Sequence, residues 1–207
     1  MCVDIFCRMT DPNPAALHAH DPRWASQALA WLNRIRAAMS DLPGAGAAEF
    51  DHIGSTSVRG LAAKPYIDLQ VRIDPLPEEK LLRARWEPLG LVRTRGARPD
   101  SPGVYADVPR GADDNLPPEV WEKRLFVHPA ENLIVHVRRA DSPWGQYTVW
   151  FRDWLREHPD ARERYEKTKR QLAERNVGKS DYDDYTRAKS AFFDDVEREF
   201  VSWARAR

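Results

Sequence analysis

The stretch His52-Ile53-Gly54-Ser55-Thr56-Ser57-Val58-Arg59-Gly60-Leu61-Ala62-Ala63-Lys64-Pro65-Tyr66-Ile67-Asp68 decides how this chain is read. Upstream of it, Glu49 to Ile53 predicts a short strand that stops at Gly54-Ser55. Thr56 to Ala63 has room for one or two helical turns, which Lys64-Pro65 ends because proline disfavours helix in the residue before it. From Tyr66 to Ile73 the residues alternate. Ile67, Leu69, Val71 and Ile73 share one face, and Asp68, Gln70, Arg72 and Asp74 share the other. One face of that strand therefore packs on helices, and the other presents polar groups to a cleft.

That order of elements suits an anion. Gly54 lets backbone approach a ligand, and the hydroxyls of Ser55, Thr56 and Ser57 can donate to it. The free N–H groups of the next helical turn favour phosphate. Lys64 either reaches that phosphate or lays its stem along the strand start. Asp68 can hold a cation bound to the phosphate. The stretch is not a Walker loop, which has four residues between its glycines and then Lys-Ser/Thr; here five separate Gly54 from Gly60, and Leu61 follows. His52 and His136 read either as ordinary strand histidines or, with Asp68, as a two-His-one-carboxylate set for a transition metal such as Fe, Mn or Zn.

Working outward, residues 1–17 read as a leader and 18–207 as one domain. A helix is expected from Pro22, capped by Asp21, with Trp24, Ala28, Trp31, Leu32, Ile35 and Met39 as its apolar stripe. Pro75 to Leu89 is expected to be helical after its first prolines. Gly90 to Pro118 reads as strand pieces and a long loop. Lys123–Val127 and Leu133–Val137 form a hairpin. From about Thr148 the chain is helical, interrupted at His158-Pro159. Ala161, Tyr165 and Leu172 point inward on one helix; Tyr185, Ala188, Phe192, Val196, Phe200 and Trp203 do so on the last. Lys169 reads as a solvated side chain, while Arg152 and Lys189 could face either cleft or solvent. The fold class is α/β (α+β): a small mixed, twisted sheet with helices on one face, followed by C-terminal helices.

The 207 residues carry 32 Lys+Arg and 32 Asp+Glu, so bulk charge gives no argument for a nucleic-acid or membrane partner and leaves only a local basic patch. The 42% hydrophobic content, with eight Trp, is enough for a core and argues against disorder. Cys2 and Cys7 could close only a tiny loop, so there is no disulfide framework. The first ten residues lack the apolar core of a signal peptide, and no run approaches the roughly 20 apolar residues that span a bilayer. A cytoplasmic protein is expected.

The run at 52–68 resembles the signature of the GrpB family, which is placed in the nucleotidyltransferase superfamily with the DNA polymerase β-like fold. The likeness continues in Asn132-Leu133-Ile134-Val135-His136-Val137 and in Phe151-Arg152-Asp153-Trp154-Leu155-Arg156-Glu157-His158-Pro159. Tyr165 with Lys169 and Tyr185 with Lys189 extend it, so that it spans roughly residues 18 to 205. Arg59 departs from it, standing where the family more often has Pro and adding a cation beside the phosphate site. The resemblance implies that Gly54-Ser55 holds a nucleoside triphosphate or another phosphorylated small molecule, and that carboxylates hold divalent cations, Mg or Mn. Asp68 matches the first carboxylate and would be catalytic; Gln70 stands in place of the second, and His136 near the third. The leading expectation is a nucleotidyltransferase of unknown acceptor. The alternatives are a non-catalytic nucleotide-binding module of the same fold, and a metal-dependent enzyme using His52, Asp68 and His136. If Gln70 is what weakens the cation site, Gln70→Glu should restore it.

Overall fold

The computed structural model describes residues 15–96, 100–101, 103–109 and 115–207. Most of the leader, with Cys2 and Cys7, lies outside the described residues. The first helix, α1 (Arg23–Ala38), begins as its sequence dictates: Pro22 takes helical dihedrals, and the Asp21 carboxylate accepts from the Arg23 N–H at 2.9 Å. Trp24, Ala28, Trp31, Leu32 and Ile35 are its buried side.

Among the described residues five strands form one mixed sheet: β1 (Glu49–Ile53), β2 (Ile67–Ile73), β3 (Val92–Arg93), β4 (Lys123–His128) and β5 (Leu133–Arg139). Their spatial order is β1-β2-β5-β4-β3. β1 runs antiparallel to β2, β2 parallel to β5, and β5, β4 and β3 antiparallel in turn. Helix α2 (Glu79–Trp86) joins β2 to β3. The apolar face of β2, with Val135, Val137 and Phe126 from β5 and β4, packs against α1 and α2 in one buried core.

The C-terminal part is α3 (Pro143–Glu157), α4 (Pro159–Arg175) and α5 (Asp183–Arg205). α3 starts five residues earlier than the expected Thr148, where Ser142 caps it and Pro143 opens it. These helices build a second, aromatic core from Tyr147, Trp154, Tyr165 and Phe200, closed by Val58 and Leu61 of the signature stretch. Ala188 is exposed, and Phe193 packs against that core in its place.

The polar face of β2 is covered. Gln70 is fully buried, and its Nε2 donates to the Gly145 carbonyl of α3 at 2.9 Å. A Cβ on Gly145 would lie 2.9 Å from the Arg72 side chain, so a glycine lets α3 seat this closely on the sheet. What remains of the expected open face is a cavity at the β1/β2 end. No described helix is long and apolar enough to cross a membrane.

Candidate functional site

The cavity encloses ≈ 340 Å³ between the C-terminal helices and the sheet. Gly54, Ser55 and Lys64 of the signature stretch line it, with Asp68 and His136 from the sheet and Lys189 from α5. β1 pairs with β2 so that Ile53 lies opposite Asp68, which brings the Gly54 turn over the carboxylate. Gly54 sits at φ 70°, ψ −174°, a region essentially reserved for glycine. A Cβ there would lie 2.5 Å from Asp68 Oδ2. Glycine is thus needed twice, for the backbone and for the approach.

Of the three expected hydroxyls, only Ser55 lines the cavity. Thr56 Oγ1 pairs with His52 Nε2 at 3.0 Å, and Ser57 Oγ donates back to the Gly54 carbonyl at 2.6 Å. Both are buried and serve the turn rather than a ligand. The expected helix start is a single 3-10 turn, Ser55–Ser57, whose following N–H groups close the turn itself. A helix dipole therefore contributes little there. Arg59 is exposed and lies away from the cavity, so it adds no cation to it.

The two-His-one-carboxylate set does not form. His52 pairs with Leu69 in the register and points to the apolar side, whereas His136 pairs with Gln70 and shares the face of Asp68. Among the described residues no three His, Cys, Asp or Glu side chains converge as metal ligands. His136 Nε2 stands 3.5 Å from Asp68 Oδ1. Its Nδ1 faces Lys123 Nζ at 3.4 Å and Arg138 Nη2 at 3.5 Å. A neutral ring in that position keeps its lone pair at Nδ1 and its proton on Nε2, toward Asp68. The Asp68 side chain is 29% exposed. Burial works to raise its carboxyl, but the interaction with His136 and the charges of Lys189 and Lys64 outweigh that and hold it below the usual value. Asp68 is therefore ionised and open to the cavity.

Gln70 is not a ligand in waiting. Its Oε1 accepts from Arg138 Nη1 at 2.7 Å and from Thr148 Oγ1 at 2.9 Å, while its Nε2 is taken by Gly145. Arg138 forks onto Asp107 at 2.6 and 3.0 Å, and Lys123 Nζ reaches the same carboxylate at 2.9 Å. Burial raises the Asp107 carboxyl, and Arg138 and Lys123 lower it by more, so the buried cluster is held as ions. Sequence reading missed this cluster. Alternation along β5 places Arg138 beside His136, which was a usable signal; Asp107 lies in an aperiodic loop that offered none.

Lys169, expected in solvent, is 1% exposed and donates to the Ala62 carbonyl. Its partner is remote in sequence, so no helical pattern could mark it. Arg152 joins Asp51 at 3.1 Å and Asp153 at 2.8 Å and fixes α3 to β1. Lys64 places Nζ 3.1 Å from the centroid of the Tyr182 ring. Its ammonium therefore faces the cavity instead of spreading along the strand start.

The histidines make acid stability a readout. Burial chiefly, then Arg156 and Arg152 against the pull of Asp68, pushes His52 down to about 4. Burial, then Lys123 and Arg138, pushes His136 down to about 4. Unfolded, both take a proton near pH 6.5. The folded chain thus binds fewer protons between pH 6.5 and 4, and the stability due to each ring is present above 6.5 and lost as pH falls toward 4. Each is on the order of 3 kcal/mol, at about 1.4 kcal/mol per pH unit. Urea unfolding of His136→Gln should lose stability less steeply over that window than the wild type; an unchanged slope would mean that His136 is not held neutral.

Comparisons with known proteins agree with this architecture. The family model described as GrpB protein matches residues 14–199. A dephospho-CoA kinase of Mycolicibacterium paratuberculosis is 33% identical over 201 residues, covering 92% of this chain and 47% of its own length. A UPF0157 protein of Pseudomonas aeruginosa is 35% identical over 169 residues, covering 82% of this chain and 60% of its own. The chain thus spans about half the length of the dephospho-CoA kinases it matches. The crystal structure of GrpB from Enterococcus faecalis superposes with a TM-score of 0.65 over 91% of this chain and 99% of its own, at 22% identity. With a family match that runs from before α1 into α5 and a shared fold, the chain belongs to the GrpB family.

Proposed function

We propose that the cavity binds a nucleoside triphosphate, or a phosphorylated small molecule of similar size, together with one divalent cation, and that the chain is a binding module on a nucleotidyltransferase-like scaffold. The observation that carries this reading is the Gly54-Ser55 turn held bare against an ionised Asp68 at the edge of one cavity. Its volume falls in the range of small-molecule sites, about 300–1,000 Å³. Ser55 would donate to a phosphate oxygen. Mg²⁺ or Mn²⁺ would be held by Asp68 and the ligand's own phosphates, since such ions commonly bind through one or two carboxylates plus phosphate.

A two-metal centre does not fit these residues. The second carboxylate position holds Gln70, every polar atom of which is engaged. The cavity therefore favours binding over in-line transfer, which draws on a pair of ions to clamp both oxygens.

Thermal unfolding of the chain with each common ribonucleoside triphosphate, with and without Mg²⁺, tests the reading. Dephospho-CoA belongs in the same panel, because longer relatives bear the name dephospho-CoA kinase. At about 100-fold excess over Kd the gain is about 2.7 kcal/mol, or very roughly 5–10 °C for a domain of this size. Asp68→Asn should remove the Mg²⁺-dependent part. Ser55→Ala should weaken binding with or without metal. No shift with any of these ligands would reject the proposal, and steady release of pyrophosphate would assign transfer in place of binding.

A further inference from the structure

Three lysines line the cavity. Lys64 comes from the signature stretch, Lys169 from α4 and Lys189 from α5. Tyrosines wall them. The Lys64 ammonium lies 3.1 Å from the Tyr182 centroid and 5.2 Å from that of Tyr185, Lys189 lies 6.0 Å from Tyr185, and Lys169 lies 4.9 Å from Tyr165. Among the described residues none of the three has a carboxylate within ion-pairing distance, and the one hydrogen bond they make is from Lys169 to a backbone carbonyl.

Cations taken out of water without a counter-ion are costly, and proteins ordinarily pair them. Here Asp68 and Asp183 act on Lys64 only at longer range, and Glu166 does so on Lys169. The charges are felt in the amines. Burial, then Lys189, drives Lys64 well below its ordinary range and brings Lys169 down to about 7, whereas Tyr165, then Tyr185 and Asp68, outweigh burial and raise Lys189. The trio shares a cavity with Ser55 and with Asp68, the carboxylate that acts on both Lys64 and Lys189, and one such charge at longer range does not pair three amines.

We propose that Lys64, Lys169 and Lys189 form a polyphosphate seat that supplies, from side chains, the positive charge that a second metal ion would bring. The ligand class is a di- or triphosphate, gripped by ammonium groups without obligatory metal. This rests on the nucleotide reading for the nucleoside alone, so the probe is inorganic tripolyphosphate.

Calorimetric titration of the full chain in EDTA compares tripolyphosphate, pyrophosphate and orthophosphate. The wild type should bind them in that order of decreasing affinity. Lys189→Gln and Lys64→Gln should each weaken tripolyphosphate by about 10- to 100-fold, the range for bonds to a charged group, while Lys80→Gln, a surface change, should not. Lys189→Arg, which keeps the charge, should recover part of the tripolyphosphate affinity that Lys189→Gln loses; a lysine kept only for structure would show no such rescue. No tripolyphosphate binding by the wild type, or equal binding by both variants, would overturn the seat. Nucleotide binding that needs Mg²⁺ and Asp68 but ignores the lysines would leave the nucleotide reading standing and remove the seat. Lysine-dependent tripolyphosphate binding that no nucleotide displaces would do the reverse.

Discussion

Gly54→Ala is expected to lower stability by about 2–4 kcal/mol and to abolish nucleotide binding in the same step. The backbone at 54 lies in a region where a side chain costs about 1–3 kcal/mol. The added methyl would also sit 2.5 Å from Asp68 Oδ2, 3.0 Å from its Cβ and 3.1 Å from its Cγ. No rotation of a flexible tip relieves three such contacts, so either the turn or Asp68 must move, and the phosphate donor and the carboxylate part company. Gly60→Ala is the control. Gly60 also has positive φ, at 81°, but nothing lies within 4 Å of its added Cβ. It should show the backbone cost alone and keep binding. Thermal unfolding with and without nucleotide and Mg²⁺ reads both effects; wild-type stability and binding in Gly54→Ala would sink the account of this turn.

The fold was legible where a single element carries its own period. Alternation marked β2 to within a residue, because a strand buried on one side must repeat every second position. The stripe of α1 and its Asp21-Pro22 start were equally local. The beginning of α3 has a local signal too, in Ser142-Pro143, but its apolar spacing becomes clear only later in the helix. What no local pattern could reveal was the seating of α3 on the polar face of β2. It depends on Gly145 meeting Gln70 and Arg72 across more than seventy residues of chain.

The site divides in the same way. Gly54, Ser55 and Asp68 were legible together because a tight turn and the next strand are close in sequence, and the register brings them to one wall. Thr56 and Ser57 looked equivalent to Ser55, yet a 3-10 turn rotates its hydroxyls to different sides, and only one reaches the cavity. His52 and His136 looked like a pair until the register put them on opposite faces. Lys169 lies on a helix of polar spacing, yet it is buried against the Ala62 carbonyl, a partner that helical spacing does not encode.

Gln70→Glu is expected to destabilise the chain by about 2–4 kcal/mol and to leave Mg²⁺ binding no stronger. On the superfamily pattern alone the change restores a missing carboxylate. The surroundings of Gln70 reverse that expectation. Its Nε2 is the donor to the Gly145 carbonyl, and a carboxylate oxygen there faces another acceptor in a fully buried place. A lost buried donor costs about 1–3 kcal/mol, and a buried charge adds to it unless a cation is available. The nearby cation is Arg138, already forked onto Asp107 and sharing that carboxylate with Lys123. A new carboxylate at 70 would compete with Asp107 for Arg138 instead of turning toward the cavity. Thr148 cannot compensate, since its hydroxyl has one proton and stands near both Gln70 Oε1 and the Gly145 carbonyl. The expected readout is a melting temperature lower by roughly 5–15 °C with no added stabilisation by Mg²⁺ and nucleotide. A variant as stable as the wild type that also gains Mg²⁺-dependent stabilisation would mean that Gln70 can swing free of α3, and that the scaffold retains room for a second ion.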